Sequence, residues 1–136
     1  MIAYEDGVGA MMWLSKAFGF IERARFLGTD GELTHGEMIV DDSGGIIMLA
    51  TPSPDYQSPK HHREACDTAA SWSKVPYVID GVLVYVKDVK EHFDRAKRNG
   101  ALILSDMESG PGGRLLYRAE DIEGHRWMFM QKEYFH

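Results

Sequence analysis

The turn Asp41-Asp42-Ser43-Gly44 runs into Gly45-Ile46-Ile47-Met48-Leu49, and 80 residues later Asp121-Ile122-Glu123-Gly124 runs into His125-Arg126-Trp127-Met128-Phe129. Both copies have the form D-x-x-G, and both enter an apolar segment with Met four residues after the glycine. Self-similarity at a fixed offset constrains a fold more than any single motif, because it means one supersecondary unit used more than once. Here it predicts a chain built from one unit used twice.

The elements around the two turns follow the same order. Ile2 to Tyr4 fits a short strand. Val8, Met11, Met12, Leu14 and Phe18 share one helical face, with Asp6 placed to cap the start and Gly19 the end, which predicts a helix over 7–18. Ile21–Leu27, Glu32–Val40 and Ile46–Ala50 read as strands between turn-forming residues. In the second half Val82–Val86 is a valine-rich strand. Asp88 then caps a helix whose Val89, Phe93 and Ala96 repeat at i, i+4, i+7 until Gly100 ends it. Strands over about 101–106, 114–119 and 125–131 complete the unit. Between the halves, Pro52, Pro54, Pro59 and Pro76 make 51–76 a connector in which only His62–Trp72 can form a helix. The expected fold is therefore α+β, a single domain of two βαβββ modules, about 1–50 and 77–131.

A chain of 136 residues suits one domain, and 44% hydrophobic with 26% charged residues is an ordinary globular balance. The net charge of −6, with Lys and Arg scattered, lacks the basic footprint of a nucleic-acid binder. Glu5 and Asp6 stand where a secretory signal carries cations, and the apolar runs stop at five residues, far below a bilayer span. Neither nucleic acid nor membrane is an expected partner. Cys66 is the lone cysteine, so no intrachain disulfide can form and a cytoplasmic home is expected. No G-x-G-x-x-G or P-loop pattern is present.

Trp13-Leu14-Ser15-Lys16-Ala17-Phe18-Gly19-Phe20 closes the first helix. In the second half Val86-Lys87-Asp88-Val89 enters a helix, Arg95-Ala96 and Asn99-Gly100-Ala101 leave it, and Asp121-Ile122-Glu123-Gly124-His125-Arg126-Trp127 opens the last strand. On these residues nearly the whole chain resembles the vicinal oxygen chelate superfamily, in its glyoxalase-like or bleomycin-resistance-like branch. The resemblance implies two strongly curved four-stranded sheets, each around a cavity, with helices on the outer faces and a homodimer as the common assembly. In metal-dependent members the first and last strand of each module each give one ligand, usually His or Glu, to a divalent ion with open positions.

Carried over residue by residue, that ligand set is missing. The first ligand position falls before Met1, and the other three hold Met48, Gly81 and Met128. A thioether is soft and neutral, and glycine has no donor, so a hard or borderline divalent ion has almost no site. A slip of one residue brings in only one competent donor, Asp80. No metal and no other cofactor is expected.

Strand alternation groups Met48 with Ile46 and Ala50, Gly81 with Leu83 and Tyr85, and Met128 with Arg126 and Met130. Facing inward, these make an adaptable pocket for an apolar or aromatic molecule, edged by the Arg126 charge; packed together, they fill a collapsed core. His35 and Glu37 share a strand face with Leu33 and Ile39, as an acid/base candidate or as a satisfied pair at a sheet edge. Trp72, in the connector, suits closing a cavity or meeting a partner subunit. His61 and His62 read as solvated, His125 as holding its turn, and Trp13, Trp127 and Phe129 as core. Arg114, Tyr117 and Arg118 lie on alternating faces, so either the arginines or the tyrosine look inward.

The leading expectation is metal-independent binding or sequestration of a small apolar or aromatic molecule by a homodimer. A metal-dependent lyase, isomerase or dioxygenase using His35, Glu37 and a connector histidine is the second reading. A regulatory or subunit module with a filled cavity is the third.

Overall fold

A computed structural model of the chain describes residues 1–75 and 80–133. The predicted order is present. Strand β1 (Ile2–Ala3), helix α1 (Gly7–Phe18) and strands β2 (Ile21–Leu27), β3 (Leu33–Ile39) and β4 (Ile46–Ala50) form the first unit. Strand β5 (Gly81–Val86), helix α4 (Val89–Arg98) and strands β6 (Leu102–Ser109), β7 (Leu115–Glu120) and β8 (Arg126–Gln131) form the second. The sheets have matching orders, β1-β4-β3-β2 and β5-β8-β7-β6, with the first pair of each parallel and the rest antiparallel.

The connector departs from the predicted single helix. Pro59 opens α2 (Pro59–Ala65) at the position where its missing N–H costs nothing, and α3 (Asp67–Trp72) follows. Cys66 between them is extended, with φ −139° and ψ 112°, so the helical ladder is interrupted there. The expected boundary between connector and second unit, at 76 and 77, lies outside the described residues.

Both helices start as their sequences predict: Asp6 accepts from the Gly9 N–H at 3.0 Å and Asp88 from the Glu91 N–H at 3.1 Å. They pack against each other and against the convex faces of the sheets. Tyr4, Met11, Leu14, Phe18, Leu33, Met38, Leu49, Val84, Tyr117, Trp127 and Phe129 meet in one core. Phe18 is the joint, its ring packing on Trp127 and Phe129 of the other sheet. Because both convex faces share this core, both concave faces look away from it.

The two D-x-x-G turns share their closing bond, and Asp121 Oδ1 accepts a second one from the Glu123 N–H at 3.0 Å. Asp41 Oδ1 accepts from the Gly45 N–H at 2.8 Å, and Asp121 Oδ1 from the His125 N–H at 3.0 Å. Gly44 and Gly124 take φ +82° and +90°, a region that glycine enters without penalty. Asp121 holds its turn itself, so the role expected of His125 falls elsewhere. The His125 ring lies across Tyr4, and its Nε2 donates to the Ala3 carbonyl at 2.6 Å, tying β1 to the second sheet.

Candidate functional site

The second concave face is built from three rungs of paired residues. Gly81, Arg126 and Glu120 form the first, Leu83, Met128 and Arg118 the next, and Tyr85, Met130 and Leu116 the last. The alternation expected for β5 holds: Val82 and Val84 turn to the core, while Leu83 and Tyr85 stay 46% and 39% exposed. Tyr117 faces the core and Arg118 the concave side, where it pairs with Glu108. Met130 is buried, leaving Leu83, Tyr85 and Met128 as the apolar floor.

Arg126 sits deeper than an edge charge. It is 4% exposed and Glu120 2%, and Glu120 Oε2 accepts from Arg126 Nε and from Arg63 of α2, at 3.1 and 2.7 Å. Arg126 also donates to the carbonyls of Ser73 and Val75, at 2.5 and 2.8 Å. Its guanidinium therefore clamps the connector over one end of the second face. A buried Arg–carboxylate pair with this many partners is satisfied, so Arg126 serves the wall of the site and not its floor.

On the first concave face Ile21, Ile39 and Ile46 align across three strands, and Met48 stands opposite Glu37. His35 and Glu37 do meet: His35 Nε2 lies 2.8 Å from Glu37 Oε2, and Arg23 donates to Glu37 Oε1 at 2.8 Å. The His35 hydrogen bond, followed by the Arg23 charge, holds the Glu37 carboxyl below the usual carboxylate range, which weakens it as a base. Leu33 does not share their setting. It is fully buried, because the β2–β3 register shifts between Phe26 and Leu27 and rotates the strand start toward α1.

The positions of the missing metal ligands lie where the repeat puts them, Met48 on one face and Gly81 and Met128 on the other. Among the described residues no group of three or more His, Cys, Asp or Glu side chains could hold a metal ion. The connector histidine His61 is directed elsewhere, its Nδ1 3.1 Å from Glu5 Oε1. The donor set does not fit a divalent ion. Trp72 is 60% exposed on α3, beside Tyr56 and His62, and lines a connector hollow rather than the sheet floor.

Three polar arrangements escaped the sequence reading. One is the Arg63–Glu120–Arg126 cluster. In the second, Asp121 Oδ2 accepts from the Tyr4 hydroxyl at 2.6 Å and from Trp127 Nε1 at 3.1 Å. The third is His92, whose Nε2 is 3.0 Å from the Phe18 carbonyl and whose Nδ1 is 2.5 Å from the Tyr117 hydroxyl. A carbonyl only accepts, so Nε2 carries the proton and Nδ1 accepts from Tyr117. Burial lowers the pKa of His92 to about 4. The available signal was position: His92 is three residues after Val89 and beside Phe93, on the helix face that faces the core.

Paired βαβββ units with outward concave sheets define a glyoxalase-type scaffold. The family model of the Glyoxalase/Bleomycin resistance protein/Dioxygenase superfamily matches residues 1–129, and the chain belongs to that superfamily. Its structure is similar to the crystal structure of TioX from Micromonospora sp. ML1, with 30% identity, 99% of this chain and 94% of that one covered, and a TM-score of 0.66. It also resembles TnmS3, an antibiotic binding protein from Streptomyces sp. CB03234, at 15% identity and a TM-score of 0.65, covering 97% and 91% of the two chains. In sequence it is 28% identical over 130 residues to the uncharacterized protein Mb0911c of Mycobacterium bovis, covering 96% of this chain and 79% of that one. Among the described residues no helix is long and apolar enough to cross a membrane.

Proposed function

We propose that the protein binds and sequesters a small, largely apolar or aromatic molecule without a metal ion, as a homodimer. The observation that carries this reading is the second concave face, where Leu83 and Tyr85 present an accessible apolar floor beside Met128, which stands at one of the positions the family resemblance assigns to a metal ligand. An adaptable thioether and a tyrosine ring suit an aromatic body better than a hydrophilic one. The likeness in fold to an antibiotic binding protein is consistent with a small-molecule ligand. Met48, 42% exposed on an isoleucine-rich first face, supports dimerisation, since an open apolar sheet face is covered by a second copy at little cost.

A thermal-shift screen against aromatic and glycopeptide antibiotics tests the reading. A ligand at a hundred times its dissociation constant adds about 2.7 kcal/mol to the folded state, a rise in Tm of several degrees. No shift from any compound overturns the binding reading. One divalent ion per chain, retained through dialysis and lost in His35→Ala or Glu37→Ala, overturns its metal-independence.

A further inference from the structure

Arg114 enters β7 one alternation before Leu116, at the mouth of the second concave face, with its guanidinium carbon 5.3 Å from the centre of the Tyr85 ring. The cation lies within cation–π range of the ring. Its Nε is buried yet makes no hydrogen bond; the nearest carboxylate oxygen, on Glu133, is 3.4 Å away without hydrogen-bond geometry. Arg114 borders a cavity of about 220 Å³. Tyr85, Arg114, Lys132 and Glu133 line that cavity from the second sheet, and Asp41 and Ser43 close it from the turn of the first. Tyr85 belongs both to this lining and to the last rung of the apolar floor.

From this geometry we infer that Arg114 and Tyr85 form a carboxylate subsite, and that the ligand is an aromatic carboxylic acid whose ring lies on Tyr85 and the adjoining floor. The inference rests on the binding function proposed above and names its ligand class. A planar carboxylate accepts from Nε and a terminal nitrogen of one guanidinium together, the two-point pairing that arginine makes and lysine does not. Glu133, on the short stretch after β8, is the only carboxylate in ion-pair range of Arg114 among the described residues, and it gives way to the ligand. Asp41 is already engaged with the Gly45 N–H and does not compete for the guanidinium.

Calorimetric titration with 2-naphthoate and with 2-naphthalenemethanol, its neutral counterpart, tests the subsite. The wild-type chain is expected to bind the acid at least ten-fold more tightly than the alcohol. Arg114→Gln should weaken the acid at least ten-fold and leave the alcohol within two-fold. Arg114→Lys, which keeps the charge and loses the two-point fork, should recover only part. Equal binding of acid and alcohol, or an Arg114→Gln chain that binds the acid as well as wild type, overturns the subsite. Binding of neither probe also overturns it. The broader binding function is judged separately, by the antibiotic screen, whose compounds include many without a carboxylate.

Discussion

The two concave faces descend from one repeated unit and have been put to different use. On the first, Glu37 stands opposite Met48 and is held by Arg23 and His35 at the edge of solvent. On the second, Arg118 stands opposite Met128, and one rung further Glu120 and Arg126 are sealed under the connector with Arg63. The same strand geometry thus carries a wet ion pair on one side and a dry one on the other. What separates them is the connector, which lies over the second face and leaves the first open. The rung-equivalent residues Glu37 and Arg118 both carry accessible ion pairs, so the dry pair one rung further owes its low dielectric to the cover above it.

The sharpest way to break this comparison is to remove one carboxylate from each face. Glu120→Ala leaves Arg126 buried without its counter-charge and frees Arg63 from the sheet. A loss of about 3–5 kcal/mol in urea or thermal unfolding is expected. Glu37→Ala removes a solvent-accessible pair and should cost only a small fraction of that. Similar losses for the two substitutions would show that the connector does not seal the second face.

The seam between the halves answers to pH. His92 is neutral in the folded chain, its pKa lowered by burial to about 4, whereas in the unfolded chain it titrates near the ordinary histidine value. Between about pH 6.5 and 4 the unfolded state takes up a proton that the folded state refuses, so stability falls as pH falls and levels off once the folded form also protonates. The loss is about 3 kcal/mol at most. His92→Gln should flatten that part of the curve relative to wild type, while the carboxylate contributions remain. Because His92 joins α4 to Phe18, hydrogen exchange should show β3 and β7 losing protection together in this range. Loss confined to one sheet would mean that the halves are energetically separate.

The fold was legible because its signals were local and repeated. Asp6 and Asp88 before apolar helical periods, and D-x-x-G before each last strand, fixed most element ends to within a residue or two. The connector helix was misread since Cys66 carries no breaker chemistry; its extended backbone is apparent only in three dimensions. The alternation of β5 was legible, whereas in β8 Arg126 and Met130 of the expected open face are buried. The placement of Arg126 was not, because Glu120, Arg63 and the Ser73 carbonyl converge on it from distant parts of the chain. The shift that separates Leu33 from His35 and Glu37 was also hidden, since a register irregularity has no marker in a strand of ordinary composition.

The repeated turn gives the smallest contrast, since both aspartates close their turn on the residue after the glycine, Asp121 with one further turn bond from the Glu123 N–H, and they differ chiefly in what else they hold. Asp41 accepts from the Gly45 N–H in a half-exposed turn, so Asp41→Ala loses one charge-assisted bond that water replaces, about 0.5–1 kcal/mol. Asp121 adds the Tyr4 hydroxyl and Trp127 Nε1, both in the core, and Asp121→Ala orphans these two buried donors along with the turn. An expected loss of about 2–3 kcal/mol follows, smaller than at Glu120 because no buried charge is left behind. Tyr4→Phe removes one of the orphans in advance. If Tyr4 is what sets the two turns apart, Asp121→Ala should cost less in a Tyr4→Phe background than in wild type, with a coupling of about 0.5–1.5 kcal/mol by double-mutant cycle. Strict additivity would place the difference in the turn itself, and would mean that the two copies have diverged in backbone strain rather than in their tie to the core.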